Sequence, residues 1–280
     1  MILFRTHRDT PFVRERLNFL AQTCEERVVV LYDDTTDPEG FRDVECVRVN
    51  AAVYRQLGLY VSDDFGWRCG DYGFYAARKQ YPEIRFFWMV EYDVLFSFRR
   101  ASEFFDRFKA LEDAPCIIAD FGPAPPSWWW YRSKVLHDRK VSHFFFPVSR
   151  MSSGAIDQLE AARRQLASTF DVQHDLWLND EAVVAYLASE RHLKATDLNA
   201  LGTVYQKSSY RFDWPINSEL IEGKILNLIM HPVLDASELQ TKAKRGQYKQ
   251  FSRRLKHWAR GLWANIGLWR DIHLRATRGR

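Results

Sequence analysis

Phe86-Phe87-Trp88-Met89-Val90-Glu91-Tyr92-Asp93 is the stretch that decides how the chain reads. Five apolar residues in succession predict a buried strand of a parallel sheet, because a strand covered on both faces shows no polar alternation. Two carboxylates two positions apart then close it, on one face of the chain. Side by side they repel each other, and a divalent cation turns that repulsion into ligation by hard oxygens. A cation at that strand end is placed to hold a diphosphate. Taken alone, the triplet also reads as a strand running out into a surface acidic pair, so its surroundings choose between the two.

Upstream, Met1 to Thr6 predicts a first strand, Pro11 to Cys24 an amphipathic helix opened by Asp9 and Thr10, and Arg27 to Tyr32 a second strand, which together make a βαβ unit. It ends in Asp33-Asp34-Thr35-Thr36-Asp37-Pro38, at the carboxyl end of a strand, where open α/β sheets bind ligands. Asp33 and Asp34 are therefore candidates for a base or ribose, and equally for a solvated turn. A short third strand, Glu45 to Asn50, follows.

Trp67-Arg68-Cys69-Gly70-Asp71-Tyr72-Gly73 leads into a helix from Phe74 to Gln80. Glycines at a helix start let an anion approach the backbone, which makes Arg68 and Asp71 candidates on the donor side; tight turns use the same residues. Downstream, Ala101 to Leu111 predicts a helix and Cys116 to Asp120 a buried strand ending in an acid. The loop after it carries Trp128-Trp129-Trp130-Tyr131, which either packs on the core or offers a platform to a ring-shaped ligand. Asp120 and the three tryptophans are candidates for an acceptor. Ser153, beside Ser152 and Gly154, caps a helix from Ala155 to Ser168 or presents donors to a sugar hydroxyl. His137 and His143 lack the spacing of a metal pair.

Asn179-Asp180-Glu181 opens another helix, where acids answer the helix dipole. Asp180 or Glu181 is also the kind of carboxylate that serves as a general base toward a hydroxyl. Late in the chain, Leu226 to Met230 is an apolar run closed by His231-Pro232. That histidine becomes a ligand only where the chain folds back onto Glu91 and Asp93.

In this order the pieces resemble glycosyltransferases of the GT-A fold, over residues 1 to 235. Trp67 to Ser97 in particular is similar to DxD-type glycosyltransferase-like proteins of polysaccharide and glycoprotein assembly. The resemblance implies a mostly parallel α/β sheet flanked by helices. It further implies Mn²⁺ or Mg²⁺ on Glu91, Asp93 and His231, a nucleotide-sugar donor, a saccharide or lipid-linked acceptor, and Asp180 or Glu181 as base. Glu91 departs from the usual first Asp of the motif, and Asn179-Asp180-Glu181 reverses the usual Glu-Asp order. Two other classes use the same residues differently. One is a metal-dependent phosphoesterase or nuclease that recruits Asp120; the other is a non-catalytic membrane-surface protein with a glycosyltransferase-like body.

At 280 residues and 46% hydrophobic content the chain can bury a large α/β core. The four cysteines show no zinc spacing and read as reduced and structural. Met1-Ile2-Leu3-Phe4 gives way at once to Arg5, His7, Arg8 and Asp9, too early for a secretory signal. No later apolar run reaches the roughly 18 residues of a membrane span, so a cytoplasmic protein is expected. Residues 242 to 280 hold twelve of the 40 Lys/Arg and one acid, a net of +11 against −7 for residues 1 to 241. The catalytic domain is thus expected over 1–241 and a basic helical tail over 242–280. Phe251, Leu255, Trp258, Leu262, Trp263, Ile266 and Trp269 alternate there with arginines and lysines, a pattern suited to the inner membrane face. A nucleic-acid partner is not expected, since the body is acidic.

Overall fold

Ile2–Thr6 (β1), Val28–Asp33 (β2), Cys46–Val49 (β3) and Phe86–Glu91 (β4) run parallel in the computed structural model, which describes residues 1–191, 193–212 and 215–247. Between them lie the helices Pro11–Thr23 (α1), Ala51–Gln56 (α2), Phe65–Arg68 (α3) and Tyr72–Gln80 (α4). Leu95–Ser97 (β5) and the short helix Ser102–Phe105 (α5) follow, and Asp106–Leu111 continues in 3₁₀ form. The chain goes on through Cys116–Pro123 (β6), Ser142–Ser152 (β7), the helices Ser153–Thr169 (α6) and Asp180–Arg191 (α7), and Ala195–Asp197 (β8). Ile216–Asn217 (β9), Leu228–Met230 (β10), Val233–Leu234 (β11) and Ala236–Gln247 (α8) close the described part.

Contacts divide the chain into two compact units. The first comprises Met1–Leu17, Glu25–Tyr92 and Ala110–Ala200; the second comprises Asn18–Cys24, Asp93–Lys109 and the described residues from Leu201 onward.

The first unit is built on a seven-stranded sheet in the order β3-β2-β1-β4-β7-β6-β8. All its strands are parallel except β7, which runs antiparallel to both β4 and β6. The mostly parallel, helix-flanked α/β architecture expected from the sequence is present. Burial follows the pleat. Phe87 and Met89 of β4 join Leu3, Leu31 and Ile118 in one cluster with Tyr72 and Ala77 of α4, Ile156 and Leu159 of α6, and Val183 and Val184 of α7. A side chain at Gly73 would collide with Leu31, so α4 lies on the sheet at a distance only glycine allows.

A buried ion pair fixes how the helices meet. Asp71, just before α4, accepts hydrogen bonds from Arg163 of α6 at 2.8 and 2.7 Å, and Arg163 also donates to the Leu178 carbonyl at 2.6 Å. Both side chains are fully buried. Burial pushes the Arg163 guanidinium down, and Asp71 more than reverses this, so its pKa stands well above the ordinary value. Leu178 lies two residues before α7, so this bond ties α6 to the approach of α7, whose first turn Asn179 caps by accepting from the Ala182 amide at 2.9 Å.

The second unit has its own small core of Ile216, Ile221, Leu228, Met230 and Val233. Its β10 pairs antiparallel with β5 in the register Met230↔Leu95, and β11 pairs parallel with β9. The Ser97 hydroxyl donates to the Lys224 carbonyl at 2.6 Å and accepts from the Leu226 amide at 2.9 Å, which pins the return of the chain. Among the described residues no helix is long and apolar enough to cross a membrane. The expected membrane-binding pattern from Phe251 to Trp269 lies outside the described residues.

Candidate active site

Four strands of the first unit, β1, β2, β4 and β6, end on one edge of the sheet, and most of the candidate residues stand there. β1 and β4 are in the register Arg5↔Glu91, and Arg5 Nη1 donates to Glu91 Oε1 at 2.6 Å. The second arm of the guanidinium donates to the Gly66 carbonyl at 2.5 Å. Burial lowers the Arg5 pKa, but Glu91 and then Asp180 outweigh that and raise it, so Arg5 remains a fixed positive charge beside Glu91. In the sequence, Arg5 stands out only as the first charge after Met1-Ile2-Leu3-Phe4. Its signal was a lone cation ending an apolar strand.

Asp180 is the first residue of α7 and is buried. Any side chain at Gly70 would collide with Asp180 Oδ2 and crowd Arg5 Nη1, so the missing Cβ is what lets α7 bring Asp180 to this edge. Its Oδ1 accepts from the Glu181 amide at 2.8 Å. Burial first, and the neighbouring Glu181 second, raise the Asp180 pKa well above the carboxylate range, with Arg5 opposing.

In the second unit, the antiparallel register carries His231 back to Asp93. The ion-pair distance from His231 Nε2 to Asp93 Oδ1 is 3.4 Å, and the Val233 amide donates to the Asp93 carbonyl at 2.7 Å. His231 Nδ1 lies 2.8 Å from the Arg211 carbonyl. A carbonyl only accepts, so the ring proton is assigned to Nδ1, and Nε2 turns its lone pair toward the carboxylate. This is the orientation that metal-ligating histidines take, with the far nitrogen held by a backbone oxygen. Glu91 precedes Asp93 by two residues, and the ligand atoms of Glu91, Asp93 and His231 all lie within 4.8 Å of one another. Two carboxylates and one imidazole form a mixed oxygen and nitrogen set that suits Mn²⁺ and accommodates Mg²⁺.

The remaining candidates divide. Asp33 ends β2 and accepts from the Thr35 amide at 3.1 Å, and one of its carboxylate oxygens would lie 3.6 Å from a Cβ at Gly66. Asp34 accepts from Asn50 Nδ2 at 2.7 Å and faces Arg48 at 3.7 Å. Arg68 is pinned by the Trp177 carbonyl at 2.9 Å and by Asp64, with its guanidinium over the rings of Trp67 and Trp130.

Three expectations are corrected by the geometry. Asp71 has no exposed surface and both its oxygens are taken by Arg163, so it braces the interior and does not face a donor. Ser153 stands at the wrong end of the sheet. The register Phe86↔Ser152 puts it level with the start of β4, about 16 Å from Glu91 at ~3.3 Å per residue. The adjacent Ser152 hydroxyl caps α6 by accepting from the Ala155 amide at 3.1 Å. Trp130 is 4% exposed and belongs to the core, stacked on Trp67; Trp128 packs against that core, and Trp129, beneath Arg132, is the exposed ring of the three.

A sheet of this order, with acids at its carboxyl edge, defines an α/β protein with a candidate metal and anion site. Comparison with solved structures finds likeness to mouse xyloside xylosyltransferase 1 in its apo form, at 12% identity over 76% of this chain and 85% of that one, with a TM-score of 0.39. It also finds likeness to a glycosyltransferase involved in glycosylation of the major capsid of PBCV-1, at 11% identity over 86% of this chain and 98% of that one, with a TM-score of 0.44. No protein-family model and no curated protein matches the chain.

Proposed function

We propose that the chain is a metal-dependent glycosyltransferase that moves a sugar from a nucleotide-sugar donor to a hydroxyl of a saccharide or glycolipid acceptor. The observation that carries this reading is His231, whose Nε2 lone pair is aimed at Asp93 in a strand-end cluster that Glu91 joins. Without a cation or a second ring proton, two electron-rich atoms face each other there. A divalent cation resolves this, and Asp93, His231 and Glu91 are the residues that would hold it. Such a cation neutralises the charge of a diphosphate leaving group.

The chain's own groups supply the rest. Arg5 holds the Glu91 carboxylate in place through one hydrogen bond and is itself tied to the Gly66 carbonyl, so the site is ordered before a ligand arrives. Asp180 is the general base of this reading. Its raised pKa makes the ionised carboxylate a stronger proton acceptor than a surface Asp, and Arg5 beside it favours the ionised form. A membrane-bound acceptor is supported only by the tail's basic and tryptophan-bearing sequence.

The test is thermal unfolding with nucleoside diphosphates, with and without Mn²⁺. Ligand at a hundredfold excess over its Kd adds about 2.7 kcal/mol, a shift of a few degrees. The wild-type protein is expected to show it only with Mn²⁺, and Asp93→Ala to lose it; a shift that survives Asp93→Ala overturns the reading.

A further inference from the structure

Asp120, His143 and Phe121 form a second histidine–carboxylate cluster in the first unit, on the same sheet edge as Glu91. Asp120 ends the regular part of β6, where the pairing with β7 slips between Ile118 and Ala119 and again before Gly122. Its φ of 54° is left-handed, a conformation that costs a non-glycine residue energy and that Asp and Asn tolerate best. The amide of Phe121 is held by Asp197 Oδ2 at 2.9 Å. β6 is parallel to β4 with β7 between them, so Asp120 stands two strands away from Glu91, about 10 Å across the sheet.

His143 approaches from β7. Its Nε2 lies 3.3 Å from Asp120 Oδ2 and its Nδ1 3.1 Å from the Pro123 carbonyl. A Cβ at Gly122 would lie 3.4 Å from the ring, an ordinary van der Waals contact, so the imidazole sits directly on this turn of β6. Side-chain exposures of 24% and 30% for His143 and Asp120 compare with 8% and 14% for His231 and Asp93. Among the described residues no second carboxylate completes a metal cluster here. The ring, seated at the Pro123 carbonyl, flanks the carboxylate and positions it at the surface by packing. Next to it Phe121 is 43% exposed while stacked on buried Phe144, with centroids 5.3 Å apart and planes at 16°. An aromatic that is rigidly backed yet open, beside an oriented carboxylate, is the pairing that reads a sugar: the ring covers a C–H face and the carboxylate accepts from a hydroxyl.

We propose that this cluster is the saccharide subsite for the acceptor, with Asp120 accepting from a sugar hydroxyl, Phe121 stacking on the ring and His143 positioning Asp120. The inference rests on the glycosyltransferase reading for its word "acceptor"; the binding of a saccharide does not. Saturation-transfer NMR of the full chain with methyl glycosides of xylose, glucose, galactose, mannose and rhamnose tests it. At least one probe is expected to receive saturation from the wild-type protein. Phe121→Ser is expected to weaken that probe about fivefold, the size of one stacking contact. Asp120→Asn keeps the left-handed backbone and the shape but is expected to weaken the probe to a similar degree, and His143→Asn to weaken it less. The Mn²⁺-dependent nucleoside diphosphate shift, measured on the same variants, is expected to stay. No signal from any probe, or equal signals from wild type, Phe121→Ser and Asp120→Asn, overturns the subsite. Loss of the nucleotide shift in the wild type, with saccharide binding intact, strikes only the donor reading.

Discussion

Arg163–Asp71 and Arg5–Glu91 join the same two functional groups at nearly the same distance, 2.7 and 2.6 Å, in the same unit of the protein. The first pair is sealed, with no exposure of either side chain; the second keeps 20% and 24%. Both oxygens of Asp71 are committed to the interior, and Arg163 also donates from Nη1 to the Leu178 carbonyl. Arg5 reaches outward to the Gly66 carbonyl of α3, and its carboxylate partner stands at a strand end. A buried pair of this kind braces the fold, while a part-open one at a sheet edge stays available to a ligand. The lesson is that an acid before a helix and an acid after a strand look alike in sequence and are separated by who covers them.

The largest expected effect lies where the brace serves the site. Asp180→Asn is expected to lower kcat by roughly 10²- to 10⁴-fold, the usual worth of a positioned base. Product formation from nucleotide sugars of the nucleoside diphosphate that gives the largest Mn²⁺-dependent shift is the readout, and a loss below tenfold would move the base elsewhere. Next, Arg163→Met leaves Asp71 charged and buried and is expected to cost about 3–5 kcal/mol in urea unfolding. Arg5→Met is expected to cost only about 1 kcal/mol, as a part-exposed pair does, yet to weaken Mn²⁺ binding about 10- to 100-fold by releasing Glu91. Equal stability losses for the two arginines would break the comparison.

Most of the sheet was legible because its strands are apolar runs closed by polar residues. β1, β2, β4 and β6 all begin and end within a few residues of the expected bounds, as do α1 and α6. Strand direction was not legible, since composition does not encode it. β7 runs opposite to its neighbours, and that reversal alone carries Ser153 from the expected site to the far edge. The helix expected from Ala101 to Leu111 turns 3₁₀ after Phe105, a tighter coil that brings Phe105 and Phe108 onto one side where both are buried. Of the candidate site, Glu91, Asp93 and His231 were readable because each closes an apolar run. Arg5 and Gly70 were not, because their roles exist only once β4 lies beside β1 and α7 lies over the loop. Likewise His143 has no metal-pair spacing along the chain, while Asp120 approaches it from the adjacent strand.

A smaller effect follows from the Asp180 carboxyl. Its folded pKa is raised, so the folded protein holds that proton more tightly than the unfolded chain does. Stability contributed by the protonated form is present at low pH and declines as pH climbs from the ordinary carboxylate value of about 4 toward the raised one. Asp180→Asn is therefore expected to melt higher than the wild type at pH 8 and to show little difference at pH 4. For activity the sign is opposite, because the base must be ionised. The acidic limb of the rate profile is expected above about pH 4. Smallest is the tail: binding to vesicles of anionic lipid is expected to weaken steadily as ionic strength rises, and salt-independent binding would point to a contact other than charge.

The central claim is that Asp93 and His231, with Glu91, hold a divalent cation for a nucleoside diphosphate. Electron paramagnetic resonance of Mn²⁺ tests it most directly, because the free ion's six-line signal fades as protein binds it. Against UDP or GDP and Mn²⁺ without protein, wild-type protein is expected to quench that signal further, and His231→Gln and Asp93→Ala to lose the added quenching. Quenching that persists undiminished in both variants would contradict the account.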